Sequence, residues 1–522
     1  MRRLATTLMS LVVVAVIASP ALAQEEGDYR TRDSGDWSMA QIWERYNGSA
    51  WAAIGTPPAG SETITVLEAD SVFVDAATTI TGRLVNQGIV EADSSILTVE
   101  GDGIYEHARD AGSLPPITWA EDATLLMSAL NVATAPEDRN QNYFNLTFDT
   151  DSLLANLNMD LDSVTVGGDI HVITSGPFSR WYLTSALANE GSTVTIEGDV
   201  IVEDGAFSVQ GTSNANTTFI VHHHGNIDVT GGNFSISRGS QGNGTTTWYL
   251  YEGDFSMSNA TTQSSTTTPN GARFVFASGG TQTLTLENVT INNLPIEVSD
   301  STTLDMGTSV MGGEGFFLLN EGGTLATAAP GGISDIFAAS IPSLVTLEDN
   351  SSFTFNGTET QVTSELMPAI VNNLTINNAA GVTLSQETTI NGVLRLQAGV
   401  FDNTIPFTLG PEGSISEEGG SLAVPVSVEE EDGLPRAFAV EQNYPNPFRS
   451  SSVIRYALPE ASDVSLTVFN VLGQKIRRWD EGRQPAGVHE FTFDSAGLSA
   501  GLYIYRVEAG DFVAARQMVL LE

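Results

Sequence analysis

A short phrase that returns at nearly fixed distance constrains this chain more than any other feature of it. Gly168-Asp169-Ile170, Gly198-Asp199-Val200, Gly225-Asn226-Ile227 and Gly253-Asp254-Phe255 follow one another at intervals of 30, 27 and 28 residues. Two and four positions after each glycine stand Ile170 and Val172, Val200 and Val202, Ile227 and Val229, Phe255 and Met257. Four and two positions before it stand Val164 and Val166, Val194 and Ile196, Val221 and His223, Tyr249 and Tyr251. Side chains alternate across a strand, so each copy offers two short strands, apolar on one side and bent at a Gly-Asp or Gly-Asn corner. One such unit cannot bury its apolar side alone. Stacked neighbours close that side into a column, so the period predicts an all-β solenoid, a right-handed parallel β-helix with coils roughly 4.8 Å apart.

A second phrase lies largely outside that block. Asn145-Leu146-Thr147-Phe148, Asn288-Val289-Thr290-Ile291 and Asn373-Leu374-Thr375-Ile376 share a pattern, and Phe274-Val275-Phe276 and Phe353-Thr354-Phe355 precede two of them. A solenoid body is therefore expected over residues 59–420, a length of about 360 residues that is long for one compact core. Ahead of it, in residues 24–58, Trp37, Trp43, Tyr46 and Trp51 cluster before Thr56-Pro57-Pro58. Such rings stack on sugars or cap the open end of a solenoid, and their terminal position favours the cap. Behind the body, residues 421–434 carry Glu429-Glu430-Glu431-Asp432-Gly433, a run with no core-forming residues that reads as a linker.

Residues 435–522 form a separate small domain. Its motifs are Tyr444-Pro445-Asn446-Pro447-Phe448, then Leu472-Gly473-Gln474, then Gly501-Leu502-Tyr503 running on into Ile504-Tyr505-Arg506-Val507. Val464, Leu466 and Val468 alternate with polar residues as a half-buried strand does, and Gly473, Gly487, Gly497 and Gly501 punctuate the strands. The prolines fix an extended approach, and the whole reads as a small Ig-like antiparallel β-sandwich of about seven strands. These three spaced motifs resemble the type A C-terminal sorting domain of the Bacteroidetes-lineage type IX secretion system. That resemblance implies a partner in the type IX secretion machinery, export across the outer membrane, removal of the tail and attachment of the body to surface lipopolysaccharide. The body phrases, with Tyr105-Glu106-His107, Thr118-Trp119-Ala120 and Ile390-Asn391-Gly392-Val393-Leu394, are similar to secreted β-solenoid proteins of the same bacteria, which implies a fold and no particular activity.

The other end agrees with export. Arg2 and Arg3, the apolar run Leu11 to Ala18 and Ala21-Leu22-Ala23 have the three regions of a secretory signal peptide, so residues 1–23 are expected to be removed. No later stretch approaches the roughly 20 apolar residues needed for a transmembrane segment. The chain lacks cysteine, which excludes disulfides and thiolate metal sites. Residues 24–434 hold 53 acids against ten arginines and no lysine, within a chain of net charge −42. Nucleic acid and anionic lipid are excluded as partners, because both are bound by clustered Lys and Arg.

Candidate chemistry is sparse. His222-His223-His224 is the one histidine cluster; the repeat turns His223 inward and leaves His222 and His224 outward, roughly 7 Å apart, as weak metal candidates with no third ligand. Asp149 with Asp151 and Asp160 with Asp162 keep calcium open as a cofactor, although two carboxylates are far fewer than the six to eight oxygens it takes. No Gly-x-Ser-x-Gly, His-Glu-x-x-His or phosphate-cradling loop is present. A hydrolase on this scaffold would need a facing carboxylate pair, and a lyase a cation beside the sugar carboxylate. The expectation is an exported, noncatalytic surface or matrix protein, a spacer or adhesin whose ligand is a polysaccharide or a partner protein. The alternative is a carbohydrate-active enzyme on the same β-helix.

Overall fold

The computed structural model describes residues 24–521 apart from 95, 132–133, 177–178, 185–190, 211–217, 238–244, 263–270, 314, 339–343, 425–437 and 511. The expected signal segment 1–23 and the acidic run 429–433 lie outside the described residues. The chain divides into two compact units, Met1–Ser421 and Leu422–Glu522. Among the described residues no helix is long and apolar enough to cross a membrane; regular structure is strand, with two single 3-10 turns at Ala40–Ile42 and Gly332–Ser334.

The first unit is a parallel β-helix. Its main face is a sheet of 19 strands, of which Trp43–Tyr46 and Trp51–Ala53 run antiparallel and the other 17 run parallel from Tyr29–Thr31 to Ser414–Glu417. After the first coil, register partners on this face are 20 to 30 residues apart. Ile64, Leu84, Tyr105, Leu125, Leu146, Ile170, Val200, Ile227, Phe255 and Leu284 stack in register and are all buried. Each such side chain contributes roughly 1.5–3 kcal/mol on removal from water, and only the neighbouring coils supply the cover.

The Gly-Asp corner turns this face into a second one, an eight-stranded parallel sheet from Val164–Val166 to Val345–Leu347. Corner glycines lie directly over one another. A Cβ on Gly225 would meet the Gly198 carbonyl oxygen at 2.0 Å, and one on Gly253, at φ +72°, would meet that of Gly225 at 2.5 Å. Beside them runs a chain of side-chain to backbone bonds. Oδ1 of Asn145 accepts from the amide of Asp169 at 2.8 Å, Asp169 from Asp199 at 2.7 Å, Asp199 from Asn226 at 2.6 Å, Asn226 from Asp254 at 3.0 Å, and Asp254 from Thr283 at 2.7 Å. The short acidic or amide side chain is therefore what carries the corner from coil to coil.

Three features differ from the sequence reading. Each coil of the repeat block has a third short strand, as in Trp181–Tyr182, Ala206–Gln210 and Asn233–Ser237, within a six-stranded parallel sheet. The fourth corner holds one extra residue, so Trp248 and Leu250 pair with Val221 and His223 and point inward, while Tyr249 and Tyr251 face out. The Asn-x-Thr phrases are not equivalent. Those at Asn145 and Asn373 lead into first-face strands, whereas Thr290–Ile291 belongs to the third face, because an alternating pattern marks inside from outside and not one face from another.

At the start of the body, Tyr29–Thr31 supplies the first rung and the antiparallel hairpin Trp43–Tyr46 and Trp51–Ala53 extends its outer edge. Trp37 and Trp43 are buried and meet edge to face at 5.1 Å, with Trp43 Nε1 donating to the Trp37 carbonyl at 3.0 Å. Arg30 lies over the Trp51 ring, its guanidinium carbon 4.3 Å from the centroid. An edge strand covered by a hairpin no longer offers its backbone groups to another chain.

The second unit has seven antiparallel strands in a three-stranded and a four-stranded sheet. Ile454, Tyr456, Phe491 and Phe493 of one sheet pack against Val464, Leu466, Val468, Tyr505 and Val507 of the other, the arrangement of a small sandwich.

Replacing Gly225 with alanine drives a methyl into the backbone of the coil below and is expected to cost about 1–3 kcal/mol. Gly55, with nothing near its Cβ position, is the control, and its alanine variant should stay within about 0.5 kcal/mol. Thermal unfolding midpoints of the two variants compare them directly; equal midpoints would contradict the stacked corner.

Candidate functional site

Among the described residues, the third face is interrupted after its first three strands. Gly35–Asp36, Ser71–Val74 and Ile89–Ala92 pair in parallel. The next coil then turns away: the Leu114 amide donates to the Glu137 carbonyl at 3.0 Å and the Glu137 amide to the Gly112 carbonyl at 2.7 Å, so residues 111–114 pair with the coil beyond. Among the described residues, no strand pairs with the far edge of Ile89–Ala92. Residues in a parallel ladder address alternate edges. The Ile89 amide donates backward to the Asp70 carbonyl at 3.0 Å, so the N–H and C=O of Val90 and Ala92 face the open side. On the opposite wall, Gly112 and Leu114 are turned to Glu137, which directs the backbone of Ser113 to the same side.

Between those walls lies a cleft of about 1150 Å³. Ile89, Leu114, Pro115 and Ile117 give it an apolar lining, with exposed Glu91, Asp93 and Asp138 around it. Arg109 also lines it, but its guanidinium is bonded to the carbonyl oxygens of Gly88 and Asp110. At the base, Asn86 is 1% exposed. Its Nδ2 donates to Tyr105 Oη at 2.8 Å, and its Oδ1 has no hydrogen-bond partner. His107 is the register partner of Asn86 in the next coil. Its Nε2 lies 2.9 Å from the Ala111 carbonyl and so carries the proton, which leaves the buried Nδ1 lone pair without a donor. One unsatisfied acceptor, Asn86 Oδ1, therefore belongs to a residue that lines the acid-rimmed cleft, while His107 lies beside it in the next coil and does not line the cleft. Sequence reasoning missed this place because a lapse in strand pairing carries no residue signature.

The histidine cluster lies elsewhere. His223 is fully buried, its Nε2 2.7 Å from the Gly198 carbonyl, with the ring edge-on to Trp248 at 5.7 Å. His222 and His224 lie on the outer surface among tyrosines. His222 stacks on Tyr249 at 5.9 Å and Tyr251 at 5.6 Å, and His224 on Tyr251 at 5.3 Å. His222 Nδ1 is 3.0 Å from Tyr251 Oη, and His224 Nδ1 is 3.8 Å from Glu252. Among the described residues no group of three or more His, Asp or Glu is placed to hold a metal ion. Of the acid pairs, Asp160 is ion-paired with Arg139, while Asp162 accepts from the Ser163 hydroxyl at 3.2 Å. Burial, then the charge of Asp151, raises the pKa of Asp149.

In the tail the motif residues do structural work. The Tyr444 amide pairs with the Val453 carbonyl at 2.9 Å, on one sheet, and the Phe448 amide with the Val519 carbonyl at 3.0 Å, on the other. The chain must cross between sheets within four residues, so Pro445 and Pro447, both after cis peptide bonds, form a corner and not the extended run expected from the sequence. Asn446 Oδ1 accepts from the Val519 amide at 2.8 Å, and buried Phe448 packs edge-on to Phe493 at 5.7 Å. Leu472-Gly473-Gln474 is a hairpin turn: Asn470 Oδ1 accepts from the amides of Leu472 and Gln474, both at 3.0 Å, and Gly473 takes φ +74°. Leu472 is 79% exposed. Gly501–Ala509 is a central strand, with Leu502 partly exposed at its start and Tyr503 Oη donating to the Ser499 carbonyl at 2.8 Å.

Two outcomes follow from these placements. Burial holds both His107 and His223 down at about 4, with the carbonyls of Ala111 and Gly198 pulling the other way. As pH falls from about 6.5 to about 4 the unfolded chain binds protons that the folded chain refuses, so stability falls across that window and levels off below it. Each histidine contributes up to about 3 kcal/mol to this loss. His223→Gln removes one titration, and its urea midpoint should vary less with pH than that of the parent; an unchanged dependence would refute the assignment. Phe448→Ala should destabilise the tail by about 3–5 kcal/mol, read from its unfolding transition.

No curated protein and no solved structure matches the chain. Residues 442–521 match the family of secretion system C-terminal sorting domains, and the tail is accordingly a sorting domain that directs the chain to type IX secretion.

Proposed function

We propose that the chain is an exported, noncatalytic surface or matrix protein whose body serves as a rigid spacer or adhesive rod. The observation that carries this reading is the first-face ladder of 17 parallel strands. At about 4.8 Å per rung it runs roughly 75 Å, with each coil held by its neighbours. The exported body is then cut from its tail and held on surface lipopolysaccharide, and polysaccharide or a partner protein binds along its outer faces.

One observation favours a second reading, a carbohydrate-active enzyme: Glu91, Asp93 and Asp138 meet at the cleft with Arg109. The noncatalytic reading is stronger because all three carboxyls are exposed. A general acid of raised pKa needs a site that excludes water, and the arginine is tied to backbone carbonyls.

A glycan-array and hydrolysis screen of the full chain decides between them. Binding without product is the expected result, and released oligosaccharide would overturn the noncatalytic reading. In cells, deleting residues 435–522 should leave the body inside the outer membrane; export of the truncated chain would refute delivery by the tail.

A further inference from the structure

The interrupted third face ends in an unpaired strand edge and an acid rim, and each feature selects for a property of the ligand. We infer that the cleft beside Ile89–Ala92 is a docking site for an extended, lysine-bearing peptide segment of a partner protein, which adds to the sheet as a strand.

The backbone argument comes first. Val90 and Ala92 present N–H and C=O groups along the open edge, and Ser113 presents its own from the opposite wall. An extended peptide satisfies such a row through its main chain, which gives affinity with little dependence on sequence. A polysaccharide has no matching alternation of donors and acceptors at strand spacing.

The side-chain argument sets the charge. Glu91, Asp93 and Asp138 ring the cleft within a chain of net charge −42. Asn86, which lines the cleft, has a buried Oδ1 that lacks a donor. Buried acceptors of this kind are normally satisfied. An ammonium group has three donors and no acceptor, and so matches the carboxylates of the rim. Alternate residues of an added strand point the same way, so lysines at every second position meet Glu91 and Asp93 on the outward face that Ile89 shares, while the apolar residues between them turn inward with Val90 and Ala92.

The probe is a fluorescent nine-residue peptide alternating lysine and valine, titrated into the full chain, with the glutamate–valine counterpart as comparison. The lysine peptide should bind saturably, more weakly as salt rises, and slow hydrogen exchange at the amides of Val90 and Ala92. Charge reversal at the rim, Glu91→Lys with Asp93→Lys, should weaken it at least tenfold. Reversal at exposed Glu100 and Asp102, outside the cleft, should leave it within twofold. Val90→Pro removes the N–H that faces the open edge and not the ladder bond to Ser71–Val74, and should also weaken binding tenfold. Equal binding of both peptides, equal loss in the two charge-reversed chains, or a polysaccharide that occupies the cleft while the peptide does not would each overturn the inference. These readings stand whatever the hydrolysis screen returns.

Discussion

Everything in the body depends on the hydrogen bond between one coil and the next. No coil of 20 to 30 residues encloses a core by itself; its apolar side chains are covered only because the ladder brings the next coil to strand spacing. That spacing leaves no room for a Cβ between corner backbones, hence the glycines over Gly198 and Gly225. It also puts each corner amide within reach of the Asp or Asn below, hence the residue that follows the glycine. The repeat is the trace that one distance leaves in the chain.

How much of this was legible varied with how local its cause is. The corner phrases, the inward His223 and the seven-stranded tail could be read because turn chemistry and alternation act over a few residues. Third-face strands such as Ala206–Gln210 and Asn233–Ser237 bury four successive residues in place of every second one, so alternation does not mark them. Tyr249 and Tyr251 were misplaced because a single added residue at the corner exchanges inside for outside, and Trp248 and Leu250 are equally apolar. The cleft was invisible for a different reason. Ile89–Ala92 reads as an ordinary strand, and what distinguishes it is a partner that turns elsewhere.

The two units are stabilised in different ways. In the tail, two antiparallel sheets share one compact core, and the motif residues hold its crossings and turns: Phe448 between the sheets, Gly473 in the hairpin, Tyr503 at the head of a central strand. Most of the recognisable signature is therefore required for folding, while exposed Leu472 belongs to the surface. The body carries nearly all the excess negative charge and the long ladder.

The strand Thr281–Glu287 pairs with the coil before it through Leu284 and with the coil after it through Gln282. A two-residue offset preserves which side chains point inward, so the core passes through without a break. Outside, the lattice of surface positions slips by roughly 7 Å, and the corner chain that begins at Asn145 stops at Thr283. The shaft thus contains a dislocation. Any molecule that tracks along one row of side chains must lose step there, so the two stretches of the rod are separate tracks for whatever reads them.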